Sequence, residues 1–381
     1  MKIARIETFL VPPRWLFCRI ETDDGVVGWG EPVAEGSAEV VRQAVHQLGE
    51  LLIGADPLRI EDHWQTMTRS TFYRGGVILA SAVSGLDQAL WDIAGKVRGA
   101  PVHELLGGPV RDRVRIYGWI GGDDPREVAE HAAAQADLGL TAIKMNVGAY
   151  LSPIVTSTEV AEAASRAAAA REALGPDRDV AIDFHGRVSR PSAPRLIEAL
   201  QPYAPLFVEE PLVPEQSHLL GGLVERTSTP IATGERLYSR QEFLPVLQQG
   251  VTVLQPDLCH AGGISEVRRI AALGETFGAL LAPHCPLGPI ALAASLQVDF
   301  ATPNFLIQEQ SLGIHYNVGN DLLDYLVDPA VFAFTDGYVA RPTAPGLGIE
   351  VDEKAVRDAD ARGHAWRSPV WRMPDGSLSE W

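Results

Sequence analysis

Three carboxylates, Asp183, Glu209 and Glu235, recur at intervals of 26 residues, each just after a short apolar run. Gathered at one end of a shared sheet, they would repel one another strongly unless a divalent cation sat between them. All-oxygen ligation that leaves room for water and a substrate suits Mg²⁺. Five more polar groups end comparable stretches: Lys144, His185, Asp257, His284 and Glu309. Together they supply acids, bases and a cationic group, the equipment of proton-transfer chemistry. A single carboxylate at a strand end is as often a helix N-cap or a salt-bridge partner. Three at one period on consecutive strands are not accounted for in that way. His185 taken alone reads as a core histidine, but it lies next to a carboxylate of this set. His284 lies between Pro283 and Pro286, which stiffen its loop. Lys144 reads three ways: a Schiff-base lysine, an electrophile, or a surface lysine with a buried stem. His260 and His315 read as structural. So, more often than not, do Trp15, Tyr73, Trp119 and the tail tryptophans.

A repeating scaffold must position these groups. From Arg113 onward eight apolar runs recur: 114–117, 142–145, 180–184, 206–208, 230–232, 253–254, 280–281 and 305–307. From Lys144 the polar ends follow at 39, 26, 26, 22, 27 and 25 residues. One strand, one helix and two loops need about that length. Eight such units predict a closed (β/α)₈-type barrel, whose active groups stand at the C-terminal strand ends. The long interval holds Ala149-Tyr150-Leu151-Ser152-Pro153, read as an inserted loop. Before the barrel, strands are expected over Lys2–Leu10, Trp15–Glu21 and Val26–Gly30. Three helices follow: one from Ser37 to near Gly54, one starting at Asp56-Pro57, and one over Leu79–Val97 stopped by Gly99 and Pro101. This is an α+β capping domain over residues 1–112. The barrel is assigned to 113–325, and a tail over 326–381 returns to complete the cap.

Composition excludes other classes. Lys+Arg number 32 against 49 Asp+Glu, a net charge of −17, which disfavours nucleic acid and anionic membrane surfaces as partners. With 46 % hydrophobic and 21 % charged residues the chain is globular. Cys18, Cys259 and Cys285 form neither a disulfide framework nor a zinc motif, so a reducing compartment is expected. No signal-peptide pattern and no run of about 18 uncharged apolar residues is present, so a cytoplasmic location is expected.

Longer motifs add a resemblance. They are Pro12-Pro13-Arg14-Trp15, Phe72-Tyr73-Arg74-Gly75-Gly76 and the stretch from Gly85 to Asp92. In the barrel they are Asp183-Phe184-His185-Gly186-Arg187, Glu209-Glu210-Pro211, Gly234-Glu235-Arg236, Gln255-Pro256-Asp257, the stretch from Ala282 to Pro289, and Gln308-Glu309-Gln310-Ser311. With them the chain resembles the mandelate racemase subgroup of the enolase superfamily, and within it the sugar-acid dehydratases. The resemblance implies Mg²⁺ held by Asp183, Glu209 and Glu235. It implies a base, His284, oriented by Asp257; an acid, His185; and a protonated Glu309 donating a hydrogen bond to the reacting carboxylate. The implied reaction removes water from an aldonate, D-galactonate in the first place, to give a 2-keto-3-deoxy acid. Substrate contacts are expected from Arg14, Trp15, Tyr73, Lys144 and Asn146, and a homo-oligomer is expected. The racemases carry Lys-x-Lys on the second barrel strand. Here the segment is Lys144-Met145-Asn146, so their second base is missing. Three rivals remain: the same site acting on another aldonate by dehydration or by racemisation between His185 and His284, a class I aldolase using Lys144, and a non-enzymatic barrel.

Overall fold

The computed structural model describes residues 1–148, 150–314, 317 and 320–380. Ala149 of the inserted loop and His315 lie outside them. Strands β1 (Ile3–Val11), β2 (Trp15–Thr22) and β3 (Val27–Gly30) form an antiparallel sheet in sequence order. Beside it lie α1 (Ala38–Gly49), α2 (Ile60–Arg69) and α3 (Val77–Arg98). The second helix starts later than Asp56-Pro57 suggests. The Asp56 carboxylate accepts the Leu58 N–H at 2.9 Å and closes a local turn instead. Gly99, at φ 65°, terminates α3 in the left-handed conformation that suits glycine. By length and composition alone α3 could cross a bilayer, but 72 % of its most apolar window is buried. It is the core helix of the cap, carrying buried Asp87, Gln88 and Asp92.

The short α4 (Val102–Leu105) leads into the barrel. Its strands and helices alternate as β4 (Arg113–Ile120), α5 (Pro125–Asp137), β5 (Ala142–Asn146), α6 (Ser157–Leu174), β6 (Asp179–Asp183), α7 (Ala193–Leu200) and β7 (Val208–Glu209). There follow α8 (Gly221–Val224), β8 (Ile231–Thr233), α9 (Arg240–Gln248), β9 (Val253–Leu254), α10 (Gly263–Thr276), β10 (Leu280–Leu281), α11 (Pro289–Ala301) and β11 (Gln308–Gln310). Strands β4 to β10 pair in order and in parallel. β11 returns to β4, and a bridge from Leu281 to Phe305 closes the remaining gap. Tyr117, Ala142, Ala181, Phe207, Ala232, Val253, Ala282 and Ile307 form one buried cluster inside the ring. Large and small side chains there share the interior, as a filled barrel requires.

Past the barrel, β12 (Phe334–Thr335) and β13 (Tyr338–Ala340) form a hairpin. It adds to the first residues of β4, Arg113 to Arg115. Then α12 (Glu353–Ala361) packs on β1, where Asp360 accepts the Leu10 N–H at 2.8 Å and Arg357 pairs with Glu7 at 3.1 Å. The Tyr325 hydroxyl donates to the Pro12 carbonyl at 2.7 Å. The tail thus completes the cap.

Candidate active site

Asp183 and Glu209 close β6 and β7 and are paired across the ladder; Glu235 stands two residues past β8. Lys144 rises from β5 and is 2 % exposed. Its ammonium lies 2.5 Å from Glu209 Oε1 and 2.8 Å from Glu309 Oε1. Gln255, just past β9, donates to the other Glu209 oxygen at 2.6 Å. Asp183 accepts the His185 N–H at 2.6 Å. Glu235 meets His284 Nε2 at 3.7 Å. Burial pushes Asp183 up to about 7, with Lys144 opposing and Glu235 adding to the rise. Burial likewise pushes Glu209 to about 7, against Lys144 and with Asp183. Glu235 rises to about 7 through burial, partly offset by His284. Among the described residues, no three such groups converge closely enough to hold an ion. Their charge and chemistry still fit one. Hard oxygen donors crowd together, and the single lysine among them neutralises Glu209 and Glu309 rather than Asp183 and Glu235.

His284 Nδ1 lies 2.8 Å from Asp257 Oδ2, and the other Asp257 oxygen accepts the Cys259 N–H at 2.6 Å. Burial opposes charge on His284, but Glu235, Glu309 and Asp257 outweigh it and lift the ring to about 10. Burial would raise Asp257, yet His260 and His284 hold it below the ordinary carboxylate value. Glu309 accepts the Cys285 N–H at 3.0 Å. Against burial, Lys144 and His284 hold its pKa down. These partners favour the ionised carboxylate, which accepts, over the protonated donor expected of Glu309. The donor beside it is Lys144, whose pKa burial would lower but Glu209 and Glu309 raise well above normal. A Schiff-base lysine needs the opposite shift, so the aldolase reading loses its nucleophile.

His185, two residues after Asp183, does not continue β6. It lies past β6 with φ 55°, because Asp183 takes its N–H while Phe184 and Gly186 bond to the Glu209 and Glu210 carbonyls. Its Nδ1 is 3.3 Å from Arg187. Glu210 turns away from Glu209 and pairs with Arg236 at 2.7 Å. Asn146 closes β5 beside Asp183, with its side-chain oxygen buried and without a partner.

The contacts expected from the cap need revision. Trp15 is fully buried, stacked on Phe17 and edge-on to Tyr325. It is a packing residue, because β2 turns it into the cap core. Tyr73 is 85 % exposed and its ring meets Phe72, so the structure leaves it in solvent rather than on the cluster. Its loop and the barrel segment Tyr238–Gln241 flank a cleft of about 380 Å³. Arg14 is buried; it pairs with Glu35 and donates to the Pro286 carbonyl at 2.7 Å, two residues past His284. Sequence reasoning missed Glu31, which accepts the Gly288 N–H at 2.8 Å and the Ala291 N–H at 2.9 Å. It also missed Gln255. Glu31 is one acid in a cap loop that no pattern marks, and Gln255 stands in the Gln255-Pro256-Asp257 motif without a role assigned to it.

Residues 11–107 match the mandelate racemase / muconate lactonizing enzyme N-terminal domain, and 127–355 the enolase C-terminal domain-like family. The chain belongs to the mandelate racemase/muconate lactonizing branch of the enolase superfamily. It is 53 % identical to a D-galactonate dehydratase of Ralstonia pickettii and 52 % identical to one of Variovorax paradoxus, each alignment covering 100 % of both chains. Those relatives are hydro-lyases, and the likeness makes this chain an enzyme of that kind. A crystal structure of an enolase from Agrobacterium radiobacter, with Na and L-malate bound, superposes with TM-score 0.89. It is 34 % identical and covers 100 % of both chains. A mandelate racemase/muconate lactonizing enzyme from Jannaschia sp. CCS1 gives 0.89 at 33 %, over 97 % of this chain and 100 % of that one.

Proposed function

We propose that this enzyme eliminates water from a sugar acid, D-galactonate, to give 2-dehydro-3-deoxy-D-galactonate. The observation that carries the reading is the His284–Asp257 pair facing Glu235 across a buried set of carboxylates. Asp183, Glu209 and Glu235 would hold Mg²⁺. Bound there, the cation would supply Lewis-acid stabilisation of the negative charge that builds on the substrate carboxylate. The C2 hydrogen is weakly acidic, because its loss adds a second negative charge beside the first. His284 takes that proton through Nε2, since Nδ1 is committed to Asp257. Neutralising Glu235 would also remove the largest Coulombic influence holding the ring protonated. Lys144 donates toward the reacting carboxylate in a water-poor site, in the role first expected of Glu309. Glu309 fixes Lys144 and the Cys285 backbone. His185 delivers the proton with which the 3-hydroxyl departs as water. Each positioned acid or base contributes about 10²–10⁴-fold.

The test is a panel of aldonates and aldarates incubated with Mg²⁺ and assayed for 2-keto-3-deoxy products. D-galactonate should give the highest kcat/KM. Epimerised substrate without keto product would instead establish racemisation between the two histidines.

A further inference from the structure

Two features of the sequence remain without a use, the tryptophan-rich tail and the inserted loop after β5, and the structure brings them together. Beyond α12 the tail follows the cap, where the His364 ring meets the Pro13 carbonyl at 2.7 Å. It then reaches the barrel at Trp371. The Arg187 guanidinium lies 5.4 Å from that ring centre, and the Tyr150 ring 6.3 Å away at 57°. These side chains come from three places: the loop after β5, the loop after β6, and the tail. The tail segment is braced for this. Ser379 N–H donates to the Trp371 carbonyl at 3.1 Å, and Met373 N–H to the Ser377 carbonyl at 2.9 Å, folding the last residues into a small hairpin. Arg187 ties the group to the chemistry. It touches His185 Nδ1 at 3.3 Å and donates to the Gly148 carbonyl at 3.4 Å.

We infer that Trp371, with Arg187 and Tyr150, forms the outer wall of the sugar-acid pocket and grips the distal, hydroxyl-bearing end of the substrate. This rests on the reading of His185 as the acid at the 3-hydroxyl, which directs C4 and beyond toward Arg187. An indole face packs on the C–H face of a polyol, while a guanidinium and a phenol donate to its hydroxyls. The cap offers less there, with Trp15 sealed in its core and Tyr73 in solvent. Trp371 is thus a specificity-determining residue.

The test uses full-length Trp371→Ala and Trp371→Phe, with thermal melts to establish that both fold. Trp371→Ala should raise KM for the six-carbon aldonate by about tenfold with kcat within about twofold, and Trp371→Phe should recover most of the loss. A four-carbon aldonate of the same C2 and C3 configuration, assayed as a competitive inhibitor, should bind wild type and Trp371→Ala equally. An unchanged KM in folded Trp371→Ala overturns the inference. So does equal weakening toward both acids, or a loss confined to kcat. If the wild-type enzyme dehydrates no sugar acid, the proposed function itself falls and this wall falls with it.

Discussion

Buried carboxylates gather in two regions of this molecule, and they are handled differently. At the seam between cap and barrel, Glu31 accepts two backbone N–H groups at the start of α11. Asp87 accepts the backbone N–H and the hydroxyl of Ser265 at the start of α10, at 2.9 and 2.6 Å. At the barrel mouth, Asp183 faces the charge of Glu235, and Glu235 those of Glu210 and Glu209. Burial pushes both sets upward: Glu31 to about 8 and Asp87 to about 7, beside about 7 for the mouth residues. Depth and shifted pKa therefore do not separate a structural acid from a functional one. What each acid faces does. Helix N-termini present fixed positive dipoles, so the seam acids are complete as they stand and lock cap to barrel. The mouth acids Asp183 and Glu235 face other carboxylates, and under the proposed function a bound cation would supply the remaining counter-charge.

The largest expected effects set the two regions apart by substitution. Glu209→Gln should lower kcat/KM by at least about 10³-fold, because an electrostatic element of the transition state is lost. Its melting temperature should change little, because Lys144 keeps Glu309 as its partner when the Glu209 charge is removed. Asp87→Ala should behave inversely. It leaves the first turn of α10 without an acceptor, at a cost of about 1–3 kcal/mol. Turnover per folded molecule should stay within about twofold. Circular-dichroism melts and kinetics on the same preparations decide the matter. A Glu209→Gln protein that melts early, or an Asp87→Ala protein that is stable but inactive, would erase the distinction.

Within the mouth, the next effects separate the two histidines. His284 is tethered through Nδ1 to Asp257, whereas His185 sits in the left-handed turn after β6. In D₂O, His185→Asn should still exchange the C2 hydrogen of the substrate while forming little product, and His284→Asn should do neither. Each loss of turnover is expected at about 10²–10⁴-fold. Proton NMR of recovered substrate reads the exchange. The opposite pattern, exchange kept only in His284→Asn, reverses their roles.

These contrasts show what a sequence makes visible. The barrel was legible because each β/α unit repeats one length and buries one apolar run, so periodicity alone predicts a closed ring. The mouth carboxylates were legible because strand ends are points that the repeat itself defines. The seam acids were not. Asp87 lies inside an apolar helix and Glu31 in a loop, and their partners, backbone amides and the Ser265 hydroxyl, are about 180 to 260 positions away, a separation that no local pattern encodes. The setting of Glu309 was hidden for a related reason: it depends on Lys144, six strands earlier in the chain but 2.8 Å away once the ring closes. Trp15 and Tyr73 were misjudged because a motif names a residue type without its direction. The start of α2 moved because a local Asp56 turn prevailed over the helix signal of Pro57.

The smallest effect expected is also the one in which the two regions act together. In protein stripped with EDTA, Asp183, Glu209 and Glu235 titrate near 7 when folded, against about 4 in the unfolded chain. Between those values the folded state holds more protons than the unfolded one, so stability must fall as pH rises from about 4 to 7. His284, lifted to about 10, continues the fall above about 6.5. Asp257 and Glu309, held below their ordinary values, act in the opposite sense, but their contribution is complete once pH exceeds about 4. Glu31 and Asp87 contribute to the same decline, and their helix-terminus partners cannot be replaced by an added ion. Mg²⁺ at the mouth should therefore restore part of the loss and leave the remainder. Because protons compete for the same oxygens, the gain should be small near pH 5 and grow toward pH 8, where a hundredfold excess over Kd adds about 2.7 kcal/mol. In a chain this long that is a shift of several degrees. Calorimetry across pH, with EDTA or with Mg²⁺, measures both slopes. An increment from Mg²⁺ that is equal at pH 5 and pH 8 would mean that the ion does not bind at these carboxylates.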